Sequence, residues 1–221
     1  MESTETPNHK LILGVPSENH PQERMVSLVP HNIIPLKEIG VEVLIEHNAG
    51  INAGFTDKQY AEVGGTIVPQ RSDIFDSANM IAQVRGPSKT PDSGQKDIAQ
   101  LGNKHIIIGF LQPQFAINEI NQIAQKGTTS IAMELIPRIT KAQNMDALSS
   151  LANLAGYKSV LVAASIMPKI FPLMMTASGT LRPAKILVLG AGVAGLQAIA
   201  TAKRLGALVT GYDIRPAVKE Q

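Results

Sequence analysis

The chain of 221 residues has no cysteine, and only 4% of its residues are aromatic. Without cysteine there is no disulfide, no zinc–cysteine site, no iron–sulfur cluster and no thiol nucleophile, and the composition suits a reducing cytosol. The scarcity of aromatic rings leaves few platforms on which nucleobases could stack. A formal charge of only +2, from 20 basic and 18 acidic residues, gives no electrostatic footprint for nucleic acid. Residues 1–10 include Glu2 and Glu5 and have no apolar centre, so no secretory signal is expected. One uncharged stretch, 186–202 between Lys185 and Lys203, lies at the short limit for crossing a bilayer, roughly 17–25 residues. It contains Gly190, Gly192, Gly195 and Gln197, which a different reading explains better, and the chain is expected to be soluble.

What is present is ordinary for a packed protein: 44% hydrophobic and 17% charged residues, far from the profile of disorder. At about 100–200 residues per domain, the length allows one or two domains with a real core. No internal repeat appears. Short β-branched runs alternate with longer segments of helical spacing. Strands are predicted at 11–15, 41–46, 80–84, 105–110, 130–133, 185–189 and 208–212. Phe115, Ile117, Ile120 and Ile123 have helical spacing and end at Gly127; Leu196, Ile199, Ala202 and Leu205 do the same before Gly206. Such alternation predicts an α/β protein with largely parallel sheets.

Residues 86–96 (GPSKTPDSGQK) are rich in Gly, Pro and Ser and are predicted to be a surface loop. A domain junction is placed near Pro137, followed by a long helical pattern over 146–166 with Gly156 as its weak point. The expected organisation is therefore an N-terminal α/β subdomain over 1–137, a connecting helix and linker over 138–184, and a second domain from 185 to 221.

The strongest motif is Gly190-Ala191-Gly192-Val193-Ala194-Gly195. A lone GxGxxG is a weak signal, but this one has the right surroundings. The strand run KILVL (185–189) precedes it, and a helix over 194–205 follows at once. Gly190 permits the tight turn, Gly192 lets the backbone approach a pyrophosphate, and Gly195 allows the helix to pack closely on the strand. The phosphates then sit at the positive helix N-terminus. The next strand ends at Asp213, about 20 residues beyond the first glycine, where an acid accepts hydrogen bonds from the adenosine ribose and repels a 2′-phosphate. NAD is thus favoured over NADP, although Arg215 could welcome a phosphate, and the alternative for Asp213 is a strand-end cap. A Rossmann sheet needs more strands than the two after Lys185, so the second domain is expected to be present only in part. Either the chain is a fragment or another chain completes the sheet.

The segment MELIPRITKAQNMDALSS (133–150), the following NLAGY (153–157) and VLGAGVAGLQAIATAKRLGA (188–207) resemble the NAD(H)-binding domain of the alpha subunit of proton-translocating NAD(P) transhydrogenase, a family related to alanine dehydrogenase. The likeness runs from about Lys10 to Gln221, and the RIT-KAQ-MDALSS block is far more specific than the glycine motif. The family's domain is much longer: it continues through the rest of its Rossmann sheet, includes a mobile loop that closes over the nicotinamide, and returns to complete the first subdomain. The resemblance implies that Arg138, Gln143, Asp146 and Ser149 face the nicotinamide, with Gln143 bridging the two nucleotides. It also implies a coenzyme-binding set of Arg138, Ile139, Thr140, Gly190, Gly192, Val193, Ala194, Gly195, Asp213, Ile214 and Arg215. Independently, the i, i+3, i+6 spacing of Gln143, Asp146 and Ser149 predicts one face at the start of a helix. An amide, a carboxylate and a hydroxyl suit a carboxamide and a ribose. Asp146 could instead only cap its helix, and Arg138 could be a solvated charge near the mouth of a cleft between domains.

The function so implied is direct hydride transfer between NAD(H) and NADP(H), coupled to proton movement by membrane-spanning and NADP-binding partners, with a homodimer and peripheral membrane association through those partners. Alanine dehydrogenases are the useful contrast. By that resemblance, they hold a carboxylate substrate with an N-terminal arginine, a strand-end lysine and a histidine. Here Arg24 matches the arginine, Arg85 replaces the lysine and Gln112 replaces the histidine, so no acid–base group titrating near neutrality stands there. An alanine-dehydrogenase-like oxidoreductase and a non-catalytic NAD-binding or assembly module are the two rivals. His9, His20, His31, His47 and His105 lack zinc-ligand spacing, so no metal is expected. Neither a GxxxxGK[ST] loop nor a GxSxG elbow occurs. Leu173, Met174 and Met175 are expected in core packing or at a domain contact.

Overall fold

Every predicted strand run forms a strand, and the first five pair in parallel. The structure, a computed structural model, describes residues 10–87 and 91–220. His9 and most of the N-terminal stretch read for a targeting signal lie outside the described residues. Two compact units divide between Pro137 and Arg138.

In the first unit the elements run β1 (Leu11–Val15), α1 (Ile33–Glu38), β2 (Val41–Glu46), α2 (Asp57–Glu62), β3 (Thr66–Val68), α3 (Arg71–Ser77) and β4 (Met80–Arg85). They continue with α4 (Pro91–Gln100), β5 (Ile106–Phe110), α5 (Ile117–Gln125) and β6 (Thr129–Ala132). The six strands form one parallel sheet in the order β3-β2-β1-β4-β5-β6. Leu11 lies opposite Val41, and Leu13 lies opposite both Val43 and Met80. Because alternate residues point to opposite faces, the sheet builds two cores. Leu13, Val15, Val41, Val43 and Ile45 pack with Ile33 and Tyr60 on one face. Ile81, Ile107 and the flanking Ile12 pack with Ile74, Phe75, Ile98 and Ile123 on the other.

The strand order reverses between β1 and β4, and a charged network joins elements at that end of the sheet. The Arg71 guanidinium donates through Nε and Nη2 to both Asp97 oxygens at 2.7 Å. Its Nη1 donates to Glu46 at 2.9 Å and to the Ser17 carbonyl at 2.8 Å. This fork geometry, matched on two sides, is one that lysine could not supply. Nearby, Glu18 accepts the Val84 and Arg85 N–H groups at 2.6 and 3.0 Å, and burial pushes its carboxyl above the usual carboxylate range.

The 86–96 loop gives way to α4 from Pro91 onward. Proline is pre-set for the first turn of a helix, and Ile98 and Leu101 then reach the core despite the Gly94 inside the helix. Phe115 and Ile117 are exposed, Phe115 preceding α5, so only Ile120 and Ile123 of that apolar series pack inward. The short β3, between Gly65 and Pro69, carries too little periodicity to be read from sequence.

The second unit begins with a 3-10 turn (Thr140–Met145) and α6 (Ala147–Ile166). A hairpin of β7 (Met174–Thr176) and β8 (Gly179–Leu181) follows, then β9 (Lys185–Leu189), α7 (Val193–Arg204) and β10 (Leu208–Tyr212). β9 and β10 pair in parallel, with Lys185 opposite Leu208 and Leu189 opposite Tyr212. The residues expected as a connector share a core with this βαβ unit: Val160 of α6 and Phe171 pack with Ala184, Ala198, Ala202 and Ala207. KILVL reads as a buried strand, yet it alternates: Ile186 and Val188 pack inward, while Leu187 and Leu189 are exposed, because α7 covers one face of the pair. Leu173, Met174 and Met175 are exposed rather than in a core. They lead into and form the β7–β8 hairpin, whose strand residues are all exposed. Among the described residues no helix is long and apolar enough to cross a membrane.

Of the histidines, His105 has a clear structural role. The Gly102 N–H donates to Nδ1 at 2.9 Å, which fixes the tautomer, and Nε2–H then donates to the Phe75 carbonyl at 2.8 Å. Burial lowers its pKa below the ordinary histidine value. A histidine held neutral stabilises the fold fully above its unfolded pKa of about 6.5, and that stability drains as pH falls below it. Urea unfolding should therefore show a midpoint that drops from pH 7 to pH 5. His105→Leu should cost about 1–3 kcal/mol at pH 7, through the two groups left unpaired, and should flatten that pH dependence.

Candidate functional site

The second unit's site starts at the turn between β9 and α7. Gly190 has φ +91°, a conformation glycine adopts without strain, and its N–H donates to the Tyr212 carbonyl at 2.7 Å. The chain then enters α7 through Gly192, an extended N-cap residue with no side-chain cap. The first-turn N–H groups of α7 are accordingly left to a ligand or water, at the positive end of the helix dipole and with no acid in that turn. A Cβ on Gly195 would collide with the Gly190 carbonyl oxygen, so glycine there lets the helix lie against the strand end. A Cβ on Gly192 would meet only the Arg215 guanidinium, 3.9 Å away, which leaves the backbone open on its outer side. Gly190 thus forms the turn, Gly195 permits the close packing, and Gly192 leaves the backbone uncovered.

The turn opens on a cleft of about 620 Å³, within the usual range of ligand pockets. Its walls include Gly190, Gly192, Val193, Ala194 and Gly195 from the turn, and Ser149 and Gly156 from α6, with Arg138 at one end. α6 can approach so closely because of Gly156. A Cβ there would overlap the Ala194 carbonyl, so the two helices touch backbone to backbone at the first turn of α7. By sequence Gly156 is a weak point of its helix; a lone glycine inside an otherwise apolar helix is also the available signal of close packing.

A smaller recess of about 270 Å³ is formed by Arg138, Ile139, Thr140, Gln143 and Asp146. Arg138 belongs to both spaces. The nicotinamide-end residues predicted from sequence therefore do gather, but not as a single helical face. Gln143 lies in the 3-10 turn, Asp146 is the N-cap of α6 with φ −77° and ψ 80°, and only Ser149 is inside the helix. A capping aspartate ends the 3-10 turn and starts the α-helix, which breaks the i, i+3 register. Asp146 accepts the Ser149 N–H at 2.9 Å and the Ser149 hydroxyl at 2.7 Å. Those bonds, with Arg138 nearby, hold its carboxyl below the usual range, so it is ionised at neutral pH.

Asp213, Ile214 and Arg215 line neither space. The Asp213 carboxylate reaches back to the turn and accepts the Ala191 N–H at 2.7 Å. Arg215 closes on it from the other side with backbone and side-chain donors at 2.8–3.0 Å. Those bonds hold the Asp213 carboxyl far below the usual carboxylate range. Ile214 is exposed. In the first unit, Arg85 donates through Nε to Glu23 at 2.7 Å, while Arg24 is exposed. Gln112 takes a left-handed backbone, φ +47°, and its N–H donates to Glu134. Among the described residues no cluster of three His, Asp or Glu could hold a metal ion.

A parallel βαβ unit, a glycine turn on an uncapped helix N-terminus and a cleft of small residues define an α/β protein with a partial Rossmann-like unit. Comparison with known proteins narrows this. Residues 14–155 match the alanine dehydrogenase/PNT N-terminal domain, and residues 159–221 match the C-terminal domain of the same family. The chain belongs to the alanine dehydrogenase/PNT family. It is 46% identical to the first part of the NAD(P) transhydrogenase alpha subunit of Rickettsia prowazekii, over 90% of this chain and 51% of that protein. It is 40% identical to the Rhodospirillum rubrum protein of the same description, over 95% of this chain and 54% of that one. The crystal structure of transhydrogenase from Sinorhizobium meliloti superposes with a TM-score of 0.88 at 42% identity, covering 95% of this chain and 60% of that one. An L-alanine dehydrogenase structure superposes at 0.80 with 28% identity, covering 94% and 56%. The chain spans about half the length of the curated relatives it matches.

The helix crossing makes a direct prediction. Gly156→Ala places a methyl against backbone that cannot rotate away, and it should destabilise the protein by about 1–3 kcal/mol, read as a lower urea midpoint. Ala155→Ser, on a neighbouring exposed position of the same helix, should change it little.

Proposed function

We propose that this chain is the NAD(H)-holding part of a proton-translocating transhydrogenase, in which hydride passes directly between NAD(H) and NADP(H) held by a separate domain or subunit. The observation that supports this most is the shared cleft. Arg138, Leu148 and Ser149 of the RIT-KAQ-MDALSS block line the same cleft as the open first turn of α7, and Arg138 also borders the recess formed with Ile139, Thr140, Gln143 and Asp146. A bound nicotinamide would supply the hydride chemistry. The chain's own residues position it and exclude water, which favours close, aligned approach of two rings at roughly 3–3.5 Å.

Their roles follow from their chemistry. The N–H groups of Gly192, Val193, Ala194 and Gly195 receive the pyrophosphate at the dipole's positive end. Arg138 neutralises charge between the cleft and the recess, and Ile139 and Thr140 wall the recess beside it. Gln143 presents an amide that can donate and accept at once, suited to bridging a carboxamide and a second nucleotide. Asp146, locked by Ser149, presents an ionised carboxylate of fixed orientation. Asp213, Ile214 and Arg215 serve the adenosine end. An NADP-binding partner and a membrane-spanning partner would complete the enzyme and hold it at the inner membrane from the cytoplasmic side, with this chain forming a homodimer.

Amino-acid oxidation fits less well. A substrate carboxylate needs an available cation and an acid–base group, whereas Arg85 is committed to Glu23 and Gln112 does not titrate. Pyruvate- and ammonia-dependent oxidation of NADH by the chain would favour that reading instead.

Titration of the chain with NADH, followed by nicotinamide fluorescence, should give saturable binding, weakened at least about tenfold by Gly192→Val, which fills the phosphate approach. No binding to the unaltered chain would remove the coenzyme reading. In the presence of an NADP-binding partner, Gln143→Ala should lower the rate of transfer by more than it lowers NADH affinity. Equal losses would make Gln143 a binding group only.

A further inference from the structure

The carboxylate expected to take the adenosine ribose is already fully engaged. A carboxylate offers about four lone-pair sites. On Asp213, Oδ2 accepts from the Ala191 N–H at 2.7 Å, and Oδ1 accepts from the Arg215 N–H at 2.8 Å. The Arg215 guanidinium fills the other two, with Nε on Oδ1 and Nη2 on Oδ2, each at 3.0 Å. The Asp213 side chain is only 10% exposed, while that of Arg215 is 60% exposed. Two of the four donors are backbone and stay where the turn puts them; the guanidinium alone can leave. Once it does, each oxygen has one open site, side by side, as a vicinal diol requires.

From this geometry we propose that Arg215 is a specificity-determining residue for the nucleotide 2′-position: it occupies the ribose acceptor in the empty site and offsets the charge of Asp213 when a 2′-phosphate arrives. The inference rests on the coenzyme reading of the glycine turn. A 2′,3′-diol must displace the guanidinium, so Arg215 competes with NADH. A 2′-phosphate faces an ion pair instead of a bare carboxylate, and the displaced guanidinium can swing to it on its flexible stem. Nη2 already stands 3.9 Å from the position a Gly192 Cβ would take, so the guanidinium starts its swing from beside the phosphate-facing turn. The unaltered chain therefore discriminates NADH from NADPH less than Asp213 alone would.

The test is a titration of the full chain with NADH and with NADPH by nicotinamide fluorescence. Competition by 5′-AMP and by adenosine 2′,5′-bisphosphate isolates the adenosine end. Arg215→Ala should tighten NADH by about two- to fivefold, the range expected for freeing one partner of an exposed ion pair, and should weaken NADPH. The NADH preference therefore rises. Asp213→Asn should lower that preference, because the neutral amide releases Arg215 to the 2′-phosphate. Circular dichroism would confirm that both variants fold. If Arg215→Ala weakens both coenzymes alike while Gly192→Val still weakens binding at least about tenfold, the arginine merely holds phosphate: this inference fails and the coenzyme reading survives. If the unaltered chain binds neither coenzyme, or binds NADH indifferently to Gly192→Val, both fail.

Discussion

The contact on which the candidate site depends is the crossing of α6 and α7 at Gly156 and Ala194. There a backbone meets a backbone, with no side chain to cushion the approach. Side chains of ordinary size would hold two helices about 8–10 Å apart and would cover the first turn of α7. Glycine at the crossing, with Ala152 and Ala155 along the same wall, keeps that turn accessible and brings the N-cap region of α6 to it. The amides of the α7 first turn and the side chains of Arg138 and Ser149 then border one space. Geometry at one residue thus decides whether the two sequence blocks can act on one ligand.

The second constraint is electrostatic. The first turn of α7 holds no acid and no side-chain cap, so its partial positive charge is unspent. Around it, the acids are occupied: Asp146 by Ser149, Asp213 by Ala191 and Arg215. An anionic ligand therefore meets donors before it meets negative charge. The first unit organises its charges differently. Arg71, Asp97 and Glu46 satisfy one another across α3, α4 and β2, and Arg85 is matched by Glu23. Such a network ties α3, α4 and β2 together, and it leaves fewer free cations there for a small carboxylate.

How legible is this in the sequence? Where a local rule and the tertiary structure agree, the reading is close. KILVL, the glycine turn and Gly206, with φ +86°, each depend on backbone preferences that neighbours do not override. Parallel pairing follows from strand–helix alternation. The failures arise where a neighbour or a single side-chain bond decides the outcome, and one of them concerns which face is covered. Leu187 and Leu189 look buried by composition, and only the position of α7 shows that their face is open. Gln143, Asp146 and Ser149 look like one helical face until the capping bond of Asp146 divides the segment in two. The Pro- and Gly-rich 86–96 stretch reads as loop because composition outweighs the weak signal of proline starting a helix. Asp213 stands just past its strand, where the spacing puts it, but no spacing rule foretells that Arg215 would occupy it.

On this account the first turn of α7 receives the pyrophosphate of a nicotinamide coenzyme. Backbone amide chemical shifts of the isotope-labelled chain, recorded as NADH is added, address it most directly. Large, saturable shifts at Gly192, Val193, Ala194 and Gly195, with smaller ones at Arg138 and Ser149, are the expected result. Saturable shifts that leave those four amides unmoved, or no shifts at any NADH concentration, would contradict it.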